Sequence, residues 1–311
     1  MKRQITAGFL AAAVGVFGLS PAAYADTTTT LTATEMAAAV DAIVTATKAA
    51  SVPGWTADVR FAGDDVQSKL SVDAPNGHAS VSYNGQVQVY AVDHQGMYGV
   101  ISNATQRAAL KSIGRPGVRY VYEVDKSVDL GTPVSFAGSD TFSTISASKV
   151  SHDDGTTDYT GELDEQSTMT WRVDAAGVLT GVDLTDEFTF AFSYGPQAVT
   201  MPTAAQSIST SGLQRVTAAY QMPANLKNAA NSAASAGRAK SGSRTTKVAA
   251  VRAQARKLAQ RLGGADAGTD IVRVTNISNG VRIYGTNPYT KQKISYQVTV
   301  SSSKKVSVKK G

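Results

Sequence analysis

Residues 167–202 read STMTWRVDAAGVLTGVDLTDEFTFAFSYGPQAVTMP, a run of three strand-like segments joined by short turns. In the last segment, aromatic rings recur at every second position: Phe188, Phe190, Phe192 and Tyr194. A period of two places alternate side chains on one face of a sheet, so these rings line one face. Each buried ring removes about 150–250 Å² from water, and this face must therefore be covered. The cover is either the protein's own helices alone or helices together with an apolar ligand.

The chain before this stretch predicts a helix followed by an antiparallel meander. Thr32 and Glu35 match a capping box, and apolar residues follow them at helical spacing up to about residue 50. Alternating segments then run from residue 55 to residue 101, with Asn84-Gly85 as a strong hairpin signal. Residues 103–113 predict a helical insertion, because Asn103 is a suitable cap. We expect residues 26–30 to be disordered and residues 130–140 to form a loop.

The first 25 residues have the pattern of a secretory signal peptide. Lys2 and Arg3 precede an apolar run, and Ala23-Tyr24-Ala25 matches a cleavage site. The chain contains no cysteine, so it lacks the residue that would carry a lipid anchor at the cleavage point. We therefore expect cleavage before Asp26 and a secreted protein of the extracytoplasmic cell envelope.

The charge is divided sharply between two parts of the chain. Residues 26–205 carry ten Lys and Arg against 22 Asp and Glu, a net −12, whereas residues 206–311 carry 18 against two, a net +16. Such a charge asymmetry gives information about binding partners and not about the fold. We expect a domain at 30–205, a flexible linker at 206–246 that is rich in Ala, Ser and Gly, and a small basic module at 247–311.

The basic module is predicted to contain one helix and four short strands. The helix has an apolar stripe that includes Val248, Val251 and Ala255, and it ends at Gly263-Gly264. The strands place apolar residues on one face and cations on the other. The cations predicted to meet an anionic surface are Arg252, Arg256, Arg261, Arg273, Arg282, Lys305 and Lys309.

The larger domain resembles the LolA/LppX-like (LprG-type) superfamily of envelope lipid and lipoprotein carriers over residues 30–205. The resemblance rests on the N-terminal helix, the helical insertion, the hairpin TWRVDAAGVLTGVDL and the final strand FTFAFSYGPQAVTMP. It implies an α+β fold in which helices cover a curved antiparallel half-barrel sheet over an apolar cavity for lipids or acylated molecules. The residues that would line this cavity are Met36, Val40, Ile43, Trp55, Phe61, Trp171, Phe188, Phe190 and Phe192.

Two alternatives remain open for this domain. The aromatic face is also what an ordinary packed core would show, and a regulatory sensor similar to RseB-type proteins would need no transport role. An enzyme is not expected, because His78 and His94 lie beside turn signals and no nucleophile motif is present. His152, Asp153, Asp154 and Asp158 could hold a cation only weakly, and a solvated Asp-Gly turn is the expected structure there. Neither a metal nor a cofactor is therefore expected.

The basic module also allows more than one interpretation. Its cations could serve solubility alone, or they could contact the acidic domain of the same chain. For a secreted protein, the expected partners are an anionic membrane surface or an envelope polymer. Nucleic acid is not expected as a partner.

Overall fold

The computed structural model describes residues 26–62, 67–163, 167–185, 187–262 and 271–311. The predicted signal peptide and the glycine pair at 263–264 lie outside these residues. Among the described residues, no helix is both long enough and apolar enough to cross a membrane.

The larger part of the protein is built on one sheet of thirteen strands. Its strands are β1 Thr27–Leu31, β2 Trp55–Phe61, β3 Gln67–Asp73, β4 His78–Tyr83, β5 Gln86–Val92, β6 Gly96–Val100, β7 Tyr120–Val124, β8 Ala147–Ser151, β9 Thr157–Glu162, β10 Thr168–Val173, β11 Leu179–Leu184, β12 Phe188–Tyr194 and β13 Ser207–Ser209. Their order is β1-β8-β9-β10-β11-β12-β2-β3-β4-β5-β6-β7-β13, so the sheet is open. Neighbouring strands are antiparallel except β7 and β13, which are parallel.

The predicted turn and cap signals form the structures they indicate. The Thr32 side chain accepts from Glu35 N at 3.3 Å, while the Glu35 carboxylate accepts from Thr32 N at 2.8 Å. This capping box begins helix α1, Ala33–Ser51. Asn103 caps helix α2, Ala104–Ser112, by accepting from two backbone N–H groups. Asn84 and Gly85 both have positive φ, 48° and 75°, as a tight primed hairpin turn requires.

Two predictions for the connecting segments are wrong. The threonine-rich segment expected to be disordered is the edge strand β1, because it pairs with β8 along its whole length. The loop expected at residues 130–140 contains two short helices, α3 Pro133–Phe136 and α4 Ser139–Phe142. Pro133 at the first turn of α3 is favoured there, since that position needs no N–H donor.

The main core lies between α1 and the face of the sheet that carries Trp171, which we call the inner face. Trp171 stacks on Phe142 with ring centroids 4.9 Å apart, and its indole N–H donates to Ala137 O at 3.1 Å. Thr47 of α1 also accepts from Leu179 N of β11 at 3.0 Å. These two bonds pair buried polar groups of the sheet with α1 and with the segment of the short helices, because an unpaired polar group in a core is costly.

The predicted flexible linker is a helix. Helix α5 spans Thr210–Ala239 and is followed by α6, Arg244–Leu262. Its first turns bury Leu213 and Val216 in a small core with α2 and β7. Its later turns enter the core of the C-terminal module through a stripe of small residues, Ala229, Ala230, Ala233 and Ala234. Alanine side chains are small, so they allow α6 to pack closely against α5. They also give only a weak hydrophobic periodicity, and the sequence therefore does not predict this helix.

The C-terminal module contains a four-stranded antiparallel sheet covered by α5 and α6. Its strands, which were predicted, are β14 Arg273–Ile277, β15 Gly280–Thr286, β16 Lys293–Val300 and β17 Val306–Lys310. Gly285 of β15 lies beside Met222 of α5. A Cβ atom there would lie 2.1 Å from Ile271 O and 3.0 Å from the sulfur of Met222, so only glycine fits.

Candidate functional site: an apolar groove and a basic sheet face

The residues predicted to line a cavity do not share one environment. Six of them are buried in the main core: Met36, Val40, Ile43, Trp55, Trp171 and Phe192. Phe188 and Phe190 are half-buried beside it, with Phe190 stacked on Phe192 at 5.9 Å. Phe61 is 48% exposed. The first group is closely packed, and contact of any of these side chains with a ligand stays a prediction.

An open apolar groove lies on the inner face next to this core. It has a volume of about 410 Å³, within the range of about 300–1,000 Å³ typical of ligand sites. Strands β3 to β6 form its floor, and segment 125–130 with Phe136 forms its wall. The apolar residues that line it are Leu70, Ala79, Val81, Val89, Ala91, Met97, Val128, Leu130 and Phe136.

Strand register explains why this part of the face is open. Trp55 aligns with Val72, which aligns in turn with Ala79, Ala91 and Met97 on successive strands. In the next row, Leu70 aligns with Val81 and Val89, and Val89 aligns with Gly99. Apart from Met97 at the end of the first row, the side chains become smaller across the sheet, and α1 packs instead against β11, α3 and α4. The small residues leave the volume that large rings fill in the main core.

The groove is bordered by large apolar side chains that water reaches. Met97 is 39% exposed and Phe136 is 43% exposed, although Phe136 also contacts Trp55 with ring centroids 5.7 Å apart. The sequence did not predict the groove residues as a site. Their apolar alternation is weaker than that of the aromatic residues in the last strand, on which the predicted cavity was based. The usable signal was the alanine and glycine at inward positions of an otherwise apolar face.

The wall of the groove is fixed by hydrogen bonds. The Asp125 carboxylate accepts from the Ser127 hydroxyl at 2.6 Å and from Ser127 N at 2.9 Å. These bonds, the side-chain bond first, lower the pKa of Asp125 and keep it ionised at neutral pH. Asp129 accepts from Gly131 N at 2.8 Å. These bonds form two local turns in the segment beside the apolar floor.

Three of the cations predicted to meet an anionic surface share one face of the small sheet. Arg282 aligns with Gln297, which aligns with Lys309, while Arg273 aligns with Tyr284. The buried residues of these strands, such as Ile283 and Val298, belong to the alternate positions that face the helices. All three cations are exposed. The Arg282 guanidinium also lies 5.5 Å from the centroid of the Tyr284 ring.

The other predicted cations lie elsewhere in the module. Arg256 and Arg261 are exposed on α6, and Lys305 lies in the turn before β17, where its backbone O accepts from Ser301 N. Arg252 has a structural role, because it donates to Gly280 O at 3.1 Å and to Ile277 O at 2.6 Å. It therefore holds the β14–β15 turn against α6.

His152 contacts two carboxylates at the edge of the large sheet. Its Nδ1 lies 3.1 Å from Asp26 and its Nε2 lies 3.5 Å from Asp158. Desolvation alone would lower the pKa of His152, but the bonds to Asp26 and Asp158 raise it. The Asp154 carboxylate does not contact His152 in this way; it accepts from Thr156 N at 2.9 Å. Among the described residues, no group of three or more His, Asp or Glu is placed to hold a metal ion.

Comparison with protein-family models finds no family that matches this chain, and comparison with curated proteins finds no matching relative. The groove and the basic face are therefore the features that bear on function.

Proposed function

We propose that this protein binds a lipid or acylated molecule, with the acyl chain in the groove formed by β3–β6. The observation that carries the proposal is an apolar groove of about 410 Å³ beside a packed core, bordered by exposed Met97 and Phe136. Burial of each CH₂ group contributes about 0.8 kcal/mol, so a chain of several carbons can bind without directional contacts. The open antiparallel sheet is compatible with the curved half-barrel that the family resemblance implies.

A groove-filling variant tests this proposal. Ala91→Leu adds three carbons to the floor, and Ala191→Leu makes the same change at an exposed position of β12. We expect Ala91→Leu to weaken binding of the uncharged fluorescent probe N-phenyl-1-naphthylamine about tenfold, because about two CH₂ contacts are lost. Ala191→Leu is expected to bind like the wild type. Absence of probe binding by the wild type, together with no amphiphile in lipid extracts of the purified protein, would refute a carrier role.

We further propose that the basic module holds the protein at an anionic membrane surface or envelope polymer. Arg273, Arg282 and Lys309 project from one sheet face, and each cation near an anionic membrane is worth about 1 kcal/mol. No ion pair of the described residues engages a cation of this module. Arg273, Arg282 and Lys309 are exposed, which is what contact with an external partner requires.

Vesicle sedimentation with the full chain tests the attachment. Arg273→Glu/Arg282→Glu should lose binding to phosphatidylglycerol vesicles at low salt, while Arg107→Glu/Lys111→Glu on α2 changes net charge equally and should bind. Neutral phosphatidylcholine vesicles should not bind either form. Retention of binding in half-molar salt would mean that charge is not the mechanism, since the screening length is about 8 Å already at physiological ionic strength.

A closely packed main core is also consistent with a regulatory protein that binds no lipid. A sensor that resembles RseB-type proteins would use the same surfaces to contact a protein and would carry no lipid. An empty groove in protein purified from its native host, with probe binding absent, would favour that function.

A further inference from the structure

The opening of the groove is acidic. Asp125 and Asp129 are among its lining residues, and Glu123 aligns with Met97 on the same sheet face. Asp93 lies at the base of the same segment, where its carboxylate accepts from Leu130 N at 3.4 Å. The only cation in segment 125–131 is Lys126.

These carboxylates are placed where the head of a bound amphiphile would lie. Glu123 is exposed on β7, directly beside groove residue Met97, and Asp129 is exposed on the wall segment. Ser127 and Gly131 donate to the wall carboxylates and fix their positions. An acyl chain on the apolar floor would therefore end close to fixed negative charge. Such charge attracts a positive head group and repels a negative one.

We propose that the groove selects a single-chain lipid that carries an ammonium group next to its acyl chain, and discriminates against carboxylate and phosphate head groups. This inference rests on the proposed function, since it names the head group of the same ligand. Its basis is charge complementarity: the floor is uncharged, while the rim carries Glu123, Asp125 and Asp129. The cations of the basic module belong to a separate sheet and do not line the groove.

Displacement of N-phenyl-1-naphthylamine by three amphiphiles of equal chain length measures the selectivity. We use dodecyltrimethylammonium, dodecanol and dodecanoate below their aggregation concentrations, with the full chain at neutral pH and low salt. We expect the cation to bind about tenfold more tightly than dodecanoate, which corresponds to about 1.4 kcal/mol, with dodecanol between them. The ratio should fall in half-molar salt, because rim charges are screened.

Charge-neutral variants assign the effect to the rim. Glu123→Gln/Asp129→Asn removes two charges and retains an oxygen at Asp129 to accept from Gly131 N, so the ratio should fall to about threefold or less while dodecanol binding stays unchanged. Asp41→Asn/Asp153→Asn removes two exposed charges elsewhere and should leave the ratio as in the wild type. Equal binding of all three amphiphiles would overturn the head-group inference alone. Failure of dodecanol and probe to bind would overturn the proposed function and this inference together.

Discussion

Asn287 supplies the hydrogen bond that Pro223 cannot make. In α5 the carbonyl of Ala219 would normally accept from the backbone N–H four residues later, but that residue is Pro223. The side-chain amide of Asn287 donates to Ala219 O at 3.1 Å instead, and Asn287 is only 7% exposed. The side-chain oxygen of Asn287 accepts from Tyr289 N and Thr290 N. A residue in the turn after β15 thus replaces one missing backbone hydrogen bond of α5.

We expect Asn287→Ala to lower the free energy of unfolding by about 1–3 kcal/mol, because a buried acceptor loses its donor. Pro223→Ala restores a backbone N–H that can donate to Ala219, so the same substitution should cost about 1 kcal/mol less in that background. Denaturant melts of the four proteins in this cycle measure the coupling. An equal cost of Asn287→Ala in both backgrounds would show that the two residues are independent.

Truncation of a phenylalanine should mainly lower stability in the main core and mainly weaken probe binding in the groove. Phe192 is 6% exposed and contacts Trp55 with ring centroids 6.3 Å apart, so Phe192→Ala should cost about 3–5 kcal/mol. Phe136→Ala, at a 43% exposed position, should cost less than about 1.5 kcal/mol but weaken probe binding. Thermal melts and probe titrations compare the two variants. A core-like loss for Phe136→Ala without any change in binding would contradict the assignment of the groove.

Contacts of His152 should make the edge strand β1 sensitive to pH. Since the pKa of His152 is raised in the folded state, its contribution is fully present below about pH 6.5, the unfolded value. It is lost as pH rises through the raised value. Hydrogen exchange of β1 amides, corrected for intrinsic rates, should therefore show weaker protection at pH 8.5 than at pH 5.5. His152→Gln should remove this difference, while His94→Gln should keep it.

Helix α5 should resist trypsin where a flexible linker would be cut. Arg215 and Lys227 are exposed but lie within the helix, next to the buried residues Val216 and Leu226 respectively. Lys240 lies in the exposed turn between α5 and α6. We expect limited proteolysis of the folded full chain to cut after Lys240 well before Arg215 or Lys227. Early cleavage at Arg215 would show that α5 opens in solution.

Two arginines of α6 should differ in their effect on stability. Arg252→Ala removes both bonds to the β14–β15 turn and should cost about 1–3 kcal/mol. Arg256→Ala removes an exposed side chain and should change stability by less than about 0.5 kcal/mol. Denaturant melts make this comparison within one helix. Equal effects would mean that the bonds of Arg252 are not important for the module.

The sequence by itself determined the elements whose signals are local. The capping box at Thr32, the cap at Asn103 and the hairpin at Asn84-Gly85 depend on a few adjacent residues, so they could be read directly. The alternation of β2–β6, β10–β12 and β14–β17 likewise reports the period of the strand itself. The division of charge at about residue 205 also follows from the sequence alone.

Only the tertiary structure decided where the space lies and what α5 does. The rings of β12 could equally fill a core or line a cavity, and Phe142 and Ala137 from distant segments occupy the space beside Trp171. The groove depends on Ala79, Ala91 and Gly99, residues brought together by register across several strands. Helix α5 is stabilised by its contacts with two cores rather than by its alanine-rich, weakly periodic sequence. Such contacts join residues far apart in the chain, and no local pattern encodes them.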